Sequence, residues 1–168
     1  SAANAGSNSR PPAMDGGSAA NAGSNSRPPA PAPAVLDPEA ERFYEHVVRH
    51  EPVVMFALEW CEFSWSVRKL FARLGIAYRS VDLDSVAFQA GDLGGKIRAV
   101  LAARTGAKTI PQVFIGGTHV GGATEMFDAW RNGKARELLK KRGVEFDAKV
   151  DLDPYSLLPK WLQPRKSA

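Results

Sequence analysis

The chain has 168 residues, 44% of them hydrophobic and 24% charged, with a formal net charge of +4. That composition suits one globular domain of ordinary size with some chain to spare, and no apolar run approaches the roughly 20 residues that cross a bilayer, so an integral membrane protein is not expected. The basic residues are scattered (Arg68-Lys69, Lys140-Lys141-Arg142, Arg165-Lys166) with no aromatic-interleaved stripe, which argues against nucleic acid as a partner.

Residues 1–34 are not expected to fold. The thirteen residues from Ser1 to Ala13 recur letter for letter from Ser18 to Ala30, and Pro31-Ala32-Pro33-Ala34 follows. The tract has no aromatic and no β-branched residue, so it cannot bury enough surface to offset chain entropy. It reads as a disordered linker or leader, with no apolar signal-peptide core at its start.

Order is predicted from Asp37-Pro38-Glu39, an N-cap, a first-turn proline and a first-turn acid, with Phe43, Val47 and Val48 on one face and Glu51-Pro52 as the stop. Val53 to Leu58 reads as a short buried strand. Val67, Leu70, Phe71 and Leu74 then give an amphipathic helix that Gly75 ends. Ala77 to Leu83 alternates as a second strand, and the strand–helix–strand order makes it parallel to the first. A loose patch from Gln89 to Gly95 precedes a helix with Ile97, Val100 and Leu101 inward. Gln112-Val113-Phe114-Ile115, Gly116-Gly117 and Thr118-His119-Val120 form a predicted hairpin. A helix with Met126, Phe127 and Trp130 on one side follows Gly121-Gly122, and a last helix carries Leu138 and Leu139 to Gly143. The expected architecture is α/β: a four-stranded mixed sheet with helices on both faces, spanning residues 35–147. Residues 148–168, rich in proline yet apolar, are expected as an irregular arm over the domain. The sharper idea for the arm is a partner-binding peptide anchored by Leu157 and Trp161.

Cys61 is the only cysteine. A single thiol excludes an intramolecular disulfide and a Cys-rich zinc site, and suggests a reducing compartment, whether cytoplasm, stroma or matrix. The histidines show no ligand spacing; His46 and His50 share a helix face without a third ligand and read as a surface pair. Cys61 falls where the first strand gives way to a helix. Unpaired N–H groups and the helix dipole favour a thiolate there, and Ser64 one turn on can donate its hydroxyl to it.

Three separated stretches carry a resemblance. Cys61-Glu62-Phe63-Ser64 matches a C-x-x-C/S motif, Thr109-Ile110-Pro111 a T-V-P segment, and Gly121-Gly122-Ala123-Thr124-Glu125 a G-G-C/S-D-D segment. In this order and spacing, from about Glu51 to Gly143, the chain resembles the glutaredoxin family of the thioredoxin fold. The resemblance implies that Cys61 and Ser64 form the catalytic pair and that the Ile110–Pro111 bond is cis. It also implies that the main chain of Ile110 pairs with the cysteinyl backbone of glutathione. Gly122, Ala123, Thr124 and Glu125 then take its γ-glutamyl end, and Lys108 with Thr109 its glycine end, where Arg104 is a second candidate cation. Thr124 capping the following helix is the plain structural role of that segment.

The chain departs from the pattern in three places, one of them Ala123, which leaves no second cysteine in the Gly121–Glu125 segment. Leu58 stands where many glutaredoxins have a lysine three residues before the cysteine, and Ser64 stands for the resolving cysteine of the dithiol type, natural or introduced. The expected activity is glutathione-dependent reduction of glutathionylated proteins by one thiol. The alternatives are a [2Fe–2S] cluster held by Cys61 of two protomers with two glutathiones, and a redox-inert adaptor acting through the C-terminal arm.

Overall fold

The computed structural model describes residues 35–163. The linker expected over residues 1–34 and the end of the arm, residues 164–168, lie outside the described residues.

Helix α1 (Pro38–His50) starts as its first residues dictate: the Asp37 carboxylate accepts the Ala40 N–H at 3.0 Å. It leads into β1 (Val53–Ala57), which is buried along its whole length. α2 (Glu62–Leu74) follows and ends at Gly75 with φ of 67°, a left-handed turn that a side chain would strain. β2 (Arg79–Asp82) pairs parallel to β1, with Val54 opposite Arg79 and Ala57 opposite Asp82. α3 (Leu93–Thr105) returns the chain to β3 (Gln112–Ile115) and β4 (Thr118–Gly121), an antiparallel hairpin turned at Gly116 and Gly117. α4 (Ala123–Arg131) and α5 (Lys134–Arg142) complete the domain. The sheet order is β2-β1-β3-β4, with β1 antiparallel to β3. This is the four-stranded mixed α/β sheet expected from the sequence.

β1 explains why the first strand reads as an unbroken apolar run. Val53, Met55 and Ala57 face a core built with α2, α4 and α5, whereas Val54 and Phe56 face a second core with α1 and α3. A central strand covered on both faces has no polar side to present.

Two expectations change. The loose patch before α3 is shorter than predicted, because Gly94 and Gly95 belong to the helix itself. A Cβ at Gly94 would lie 2.0 Å from the Leu83 carbonyl oxygen, so a residue that reads as a helix breaker is what lets α3 approach the sheet edge. The arm is irregular as expected, with 3₁₀ turns at Pro154–Leu157 and Lys160–Leu162, but only one of its two expected anchors, Trp161, is free. Leu158 is buried and Leu157 packs on the α2–α4 core, leaving Trp161 as the exposed apolar side chain. The Tyr155 hydroxyl donates to Asp128 at 2.7 Å, and its ring meets Phe127 edge-on at 5.3 Å. Burial first, and the Asp128 carboxylate second, push the Tyr155 hydroxyl up to about 12.

Candidate active site

The carboxyl end of β1 delivers Cys61 to the N-cap of α2. The first bond of that helix runs from the Trp65 N–H to the Cys61 carbonyl at 2.9 Å, so the N–H groups of residues 62–64 have no helical acceptor and surround the thiol with positive dipole ends. Cys61 is half-buried, and its Sγ lies 3.9 Å from the Ile110 carbonyl oxygen. The Ile110–Pro111 peptide is cis, as expected. Pro111 in turn brings in the third segment: a Cβ at Gly122 would stand 3.3 Å from the Pro111 carbonyl oxygen. The three stretches singled out in the sequence therefore meet through Cys61–Ile110 and Pro111–Gly122.

Ser64 is fully buried, and its hydroxyl accepts the Leu58 N–H at 3.4 Å. That contact, rather than one to Cys61, is the hydrogen bond Ser64 makes among the described residues. Leu58 itself turns toward the α1–α3 core, which is where the apolar residue at the family's lysine position goes.

The start of α4 is capped differently from expectation. Gly122, not Thr124, is the N-cap, and its N–H donates to Glu125 Oε1 at 2.7 Å while the Thr124 hydroxyl donates to Glu125 Oε2 at 3.0 Å. Glu125 thus folds back over the helix end. The Gly122 donor is already taken, and the N–H groups of Ala123 and Thr124 are those left facing outward by helix geometry.

Lys108 is exposed and enters no ion pair among the described residues. Arg104, the second candidate cation, is committed elsewhere: it bonds Glu41 at 3.1 Å and Glu45 at 3.0 Å on α1, and covers the Tyr44 ring at 5.5 Å. His46 and His50 stack at 4.3 Å, and no group of three or more His, Cys, Asp or Glu side chains that could hold a metal ion occurs among the described residues.

Gln112 is the residue that sequence reasoning passed over. It is buried, and its carboxamide Nε2 donates to the Ala107 carbonyl at 2.8 Å and the Thr109 carbonyl at 3.1 Å. It thereby holds both flanks of Lys108. Its Oε1 faces the Thr105 hydroxyl and His119 Nε2, each at 3.1 Å. The available signal was a lone amide opening an otherwise apolar strand.

A family model described as Glutaredoxin matches residues 53–120. A glutaredoxin of tomato (Solanum lycopersicum) is 37% identical over 100 residues, which span 60% of this chain and 88% of that protein. The chain belongs to the glutaredoxin family. Monothiol glutaredoxin-S10 of rice (Oryza sativa subsp. japonica) is 36% identical over 94 residues, but there the match spans 56% of this chain and 55% of the rice protein, about half its length. The crystal structure of a buckwheat glutaredoxin–glutathione complex matches with a TM-score of 0.58 at 36% identity, covering 64% of this chain and 93% of that one. The sheet and helices described above are accordingly the thioredoxin-like fold of the glutaredoxins, a family of thiol–disulfide oxidoreductases.

Proposed function

We propose that this chain reduces protein–glutathione mixed disulfides by a glutathione-dependent, monothiol route through Cys61. The observation that carries the reading is the placement of the Cys61 sulfur at a helix N-terminus and 3.9 Å from the Ile110 carbonyl that precedes a cis proline. Nucleophile and strand-pairing main chain stand side by side. The buckwheat complex supports glutathione as the ligand.

In the first step the Cys61 thiolate attacks the glutathione sulfur of the mixed disulfide. The protein–glutathione bond breaks, the Cys61–glutathione bond forms, and the protein leaves as a thiolate that takes up a proton. In the second, the thiolate of another glutathione attacks the sulfur of the bound one, which releases oxidised glutathione and regenerates the Cys61 thiolate. One reduced glutathione is consumed per turn, and the net change is exchange of the protein–glutathione disulfide for oxidised glutathione. Ser64 carries no sulfur, so glutathione resolves the intermediate.

The main chain of Ile110, held by Pro111, pairs with the cysteinyl part of glutathione. Lys108, on the loop with Thr109 that Gln112 clamps, takes the glycine carboxylate. At the other end the N–H groups of Ala123 and Thr124 take the γ-glutamyl carboxylate. Glu125, poised over Gly122, takes the ammonium group. A reducing compartment supplies the cosubstrate. No helix among the described residues is long and apolar enough to cross a membrane.

The test is glutathione-driven release of glutathione from a glutathionylated protein. Cys61→Ser should fall to the uncatalysed background with an unchanged circular dichroism spectrum; turnover persisting in that variant would refute the mechanism.

A second reading draws on the same parts. A [2Fe–2S] cluster shared by two protomers takes Cys61 from each and two glutathiones, and with serine at position 64 and no other cysteine in the chain no intramolecular disulfide competes for Cys61. Anaerobic reconstitution should then give visible absorbance together with a dimer mass, and a colourless monomer would exclude it. The adaptor reading has less support, since Leu157 is packed against the domain.

A further inference from the structure

We propose that Trp60 and Trp65, with the carboxylates of Glu59, Glu62 and Asp84, form a docking platform for an arginine or lysine near the glutathionylated cysteine of the substrate polypeptide. The inference rests on the proposed deglutathionylation and adds what selects among its substrates. Trp60 precedes Cys61 directly and is 82% exposed, and Trp65 is 43% exposed. Their ring centroids are 6.0 Å apart. The Trp65 indole is anchored: its Nε1–H donates to the Glu59 carbonyl at 2.6 Å, and the Glu59 N–H donates to Asp84 Oδ1 at 2.8 Å. Two neighbouring indoles, Trp65 anchored and Trp60 beside it, are thus presented to solvent next to the nucleophile.

The charges around them name the partner. Glu59, Glu62 and Asp84 enter none of the ion pairs found among the described residues. Arg68, the first base along α2, is committed to Asp82 at 2.6 Å and Ser80 at 2.7 Å, and Lys69 and Arg73 lie farther along the helix. A chain of net charge +4 therefore carries carboxylates without an ion-pair partner among the described residues where, on the proposed reading, it binds an anionic cosubstrate and forms a thiolate. These groups disfavour both anions, and what they suit is a cation. The indole faces suit the same cation, because their quadrupoles attract a guanidinium or ammonium within about 6 Å.

The experiment uses two glutathionylated peptides, identical except that the residues flanking the cysteine are arginine in one and glutamate in the other. The mixed disulfide of glutathione with 2-mercaptoethanol serves as a substrate too small to reach the platform. Fluorescently labelled versions with serine for cysteine give binding by anisotropy without any chemistry. The arginine peptide should show kcat/KM and affinity about 10-fold above the glutamate peptide, an advantage that shrinks in high salt. Trp60→Ala and Glu59→Gln should each remove most of it while turnover of the small disulfide is unchanged. Equal handling of the two peptides would overturn the proposal, as would a loss on the small disulfide that matches the loss on the peptide, or dimerisation abolished by Trp60→Ala. Absence of turnover on every disulfide would refute the deglutathionylation reading, and the anisotropy ratio would still decide the platform.

Discussion

His119 and Gln112 fix each other's hydrogen-bonding roles. The Gln112 Nε2 is committed to two loop carbonyls, so its Oε1 faces His119 Nε2 at 3.1 Å and that nitrogen must carry the proton. Burial pushes the His119 imidazole below its ordinary 6.5, against a smaller opposing pull from Glu125. The neutral ring with a proton on Nε2 therefore braces the clamp on the Lys108 loop.

The pH dependence follows from that direction. Between the lowered folded value and 6.5 the unfolded chain binds the proton that the folded chain refuses. Stability from this group is present in full above about 6.5 and is lost as the pH falls toward the folded value. Urea midpoints measured from pH 7.5 down to 5 should decline, and His119→Gln should flatten that part of the profile. An identical profile in the variant would remove His119 as the cause.

Gln112→Leu tests the clamp itself. The substitution keeps the strand apolar but removes the hydrogen bonds to the Ala107 and Thr109 carbonyls, which water can partly replace, so each lost bond should cost about 0.5–1.5 kcal/mol. Loosening both flanks of Lys108 should also raise KM for glutathione while kcat with saturating glutathione holds, and His119→Gln should do so more weakly. A Gln112→Leu variant with lower stability but unchanged KM would make the residue purely structural.

Several of these features could be read from residue types, and several could not. The strand around Met55 and the helix after Cys61 were visible because burial on both faces and on one face leave different periodicities. Cys61, Ile110-Pro111 and Gly122 were legible together, since each motif imposes a backbone requirement that few sequences meet. Gly94 was misread because its reason is the Leu83 carbonyl, a neighbour in space rather than in sequence. Gln112 was missed for the same cause: its partners are carbonyls of a loop that has no pattern of its own. Thr124 looked like the cap because threonine is a good one, but Glu125 could reach the Gly122 N–H.

Lys108 is predicted to contribute modestly. It is exposed, so its pairing with the glycine carboxylate is solvated and screened, which limits it to about 0.2–1 kcal/mol. Lys108→Ala should raise KM for glutathione about 2- to 5-fold at low salt, with kcat nearly unchanged, and the difference should close in 0.5 M salt. Arg104→Ala should leave KM alone and act on stability, because that guanidinium is tied to Glu41 and Glu45. A larger KM effect from Arg104 than from Lys108 would reverse the two assignments.

Ser64→Ala separates the structural role of this serine from a chemical one. The hydroxyl accepts the Leu58 N–H at 3.4 Å, a long bond whose loss should cost no more than about 1 kcal/mol. If that bond is its only task, turnover of a glutathionylated protein should stay within about twofold. A fall of tenfold or more at unchanged stability would mean that the hydroxyl stabilises the Cys61 thiolate after all. Ser64→Cys should add the ability to reduce protein disulfides, with an intramolecular disulfide to Cys61 visible by thiol counting after oxidation.

The arm is predicted to act as a brace on α2 and α4, the two helices whose N-termini form the proposed site. The Ser66 hydroxyl on α2 lies 3.2 Å from the Leu157 carbonyl, and Tyr155 reaches Asp128 on α4 at 2.7 Å. Leu158 between them is 5% exposed and belongs to the core shared by α2 and α4. Leu158→Ala should therefore destabilise by about 2–5 kcal/mol, as truncation of a packed leucine does. Tyr155→Phe should cost about 0.5–1.5 kcal/mol, because it loses one partly solvated hydrogen bond. Removing residues 151–168 should lower the thermal midpoint more than either. Deletion without a change in midpoint would show that the arm rests on the domain without supporting it.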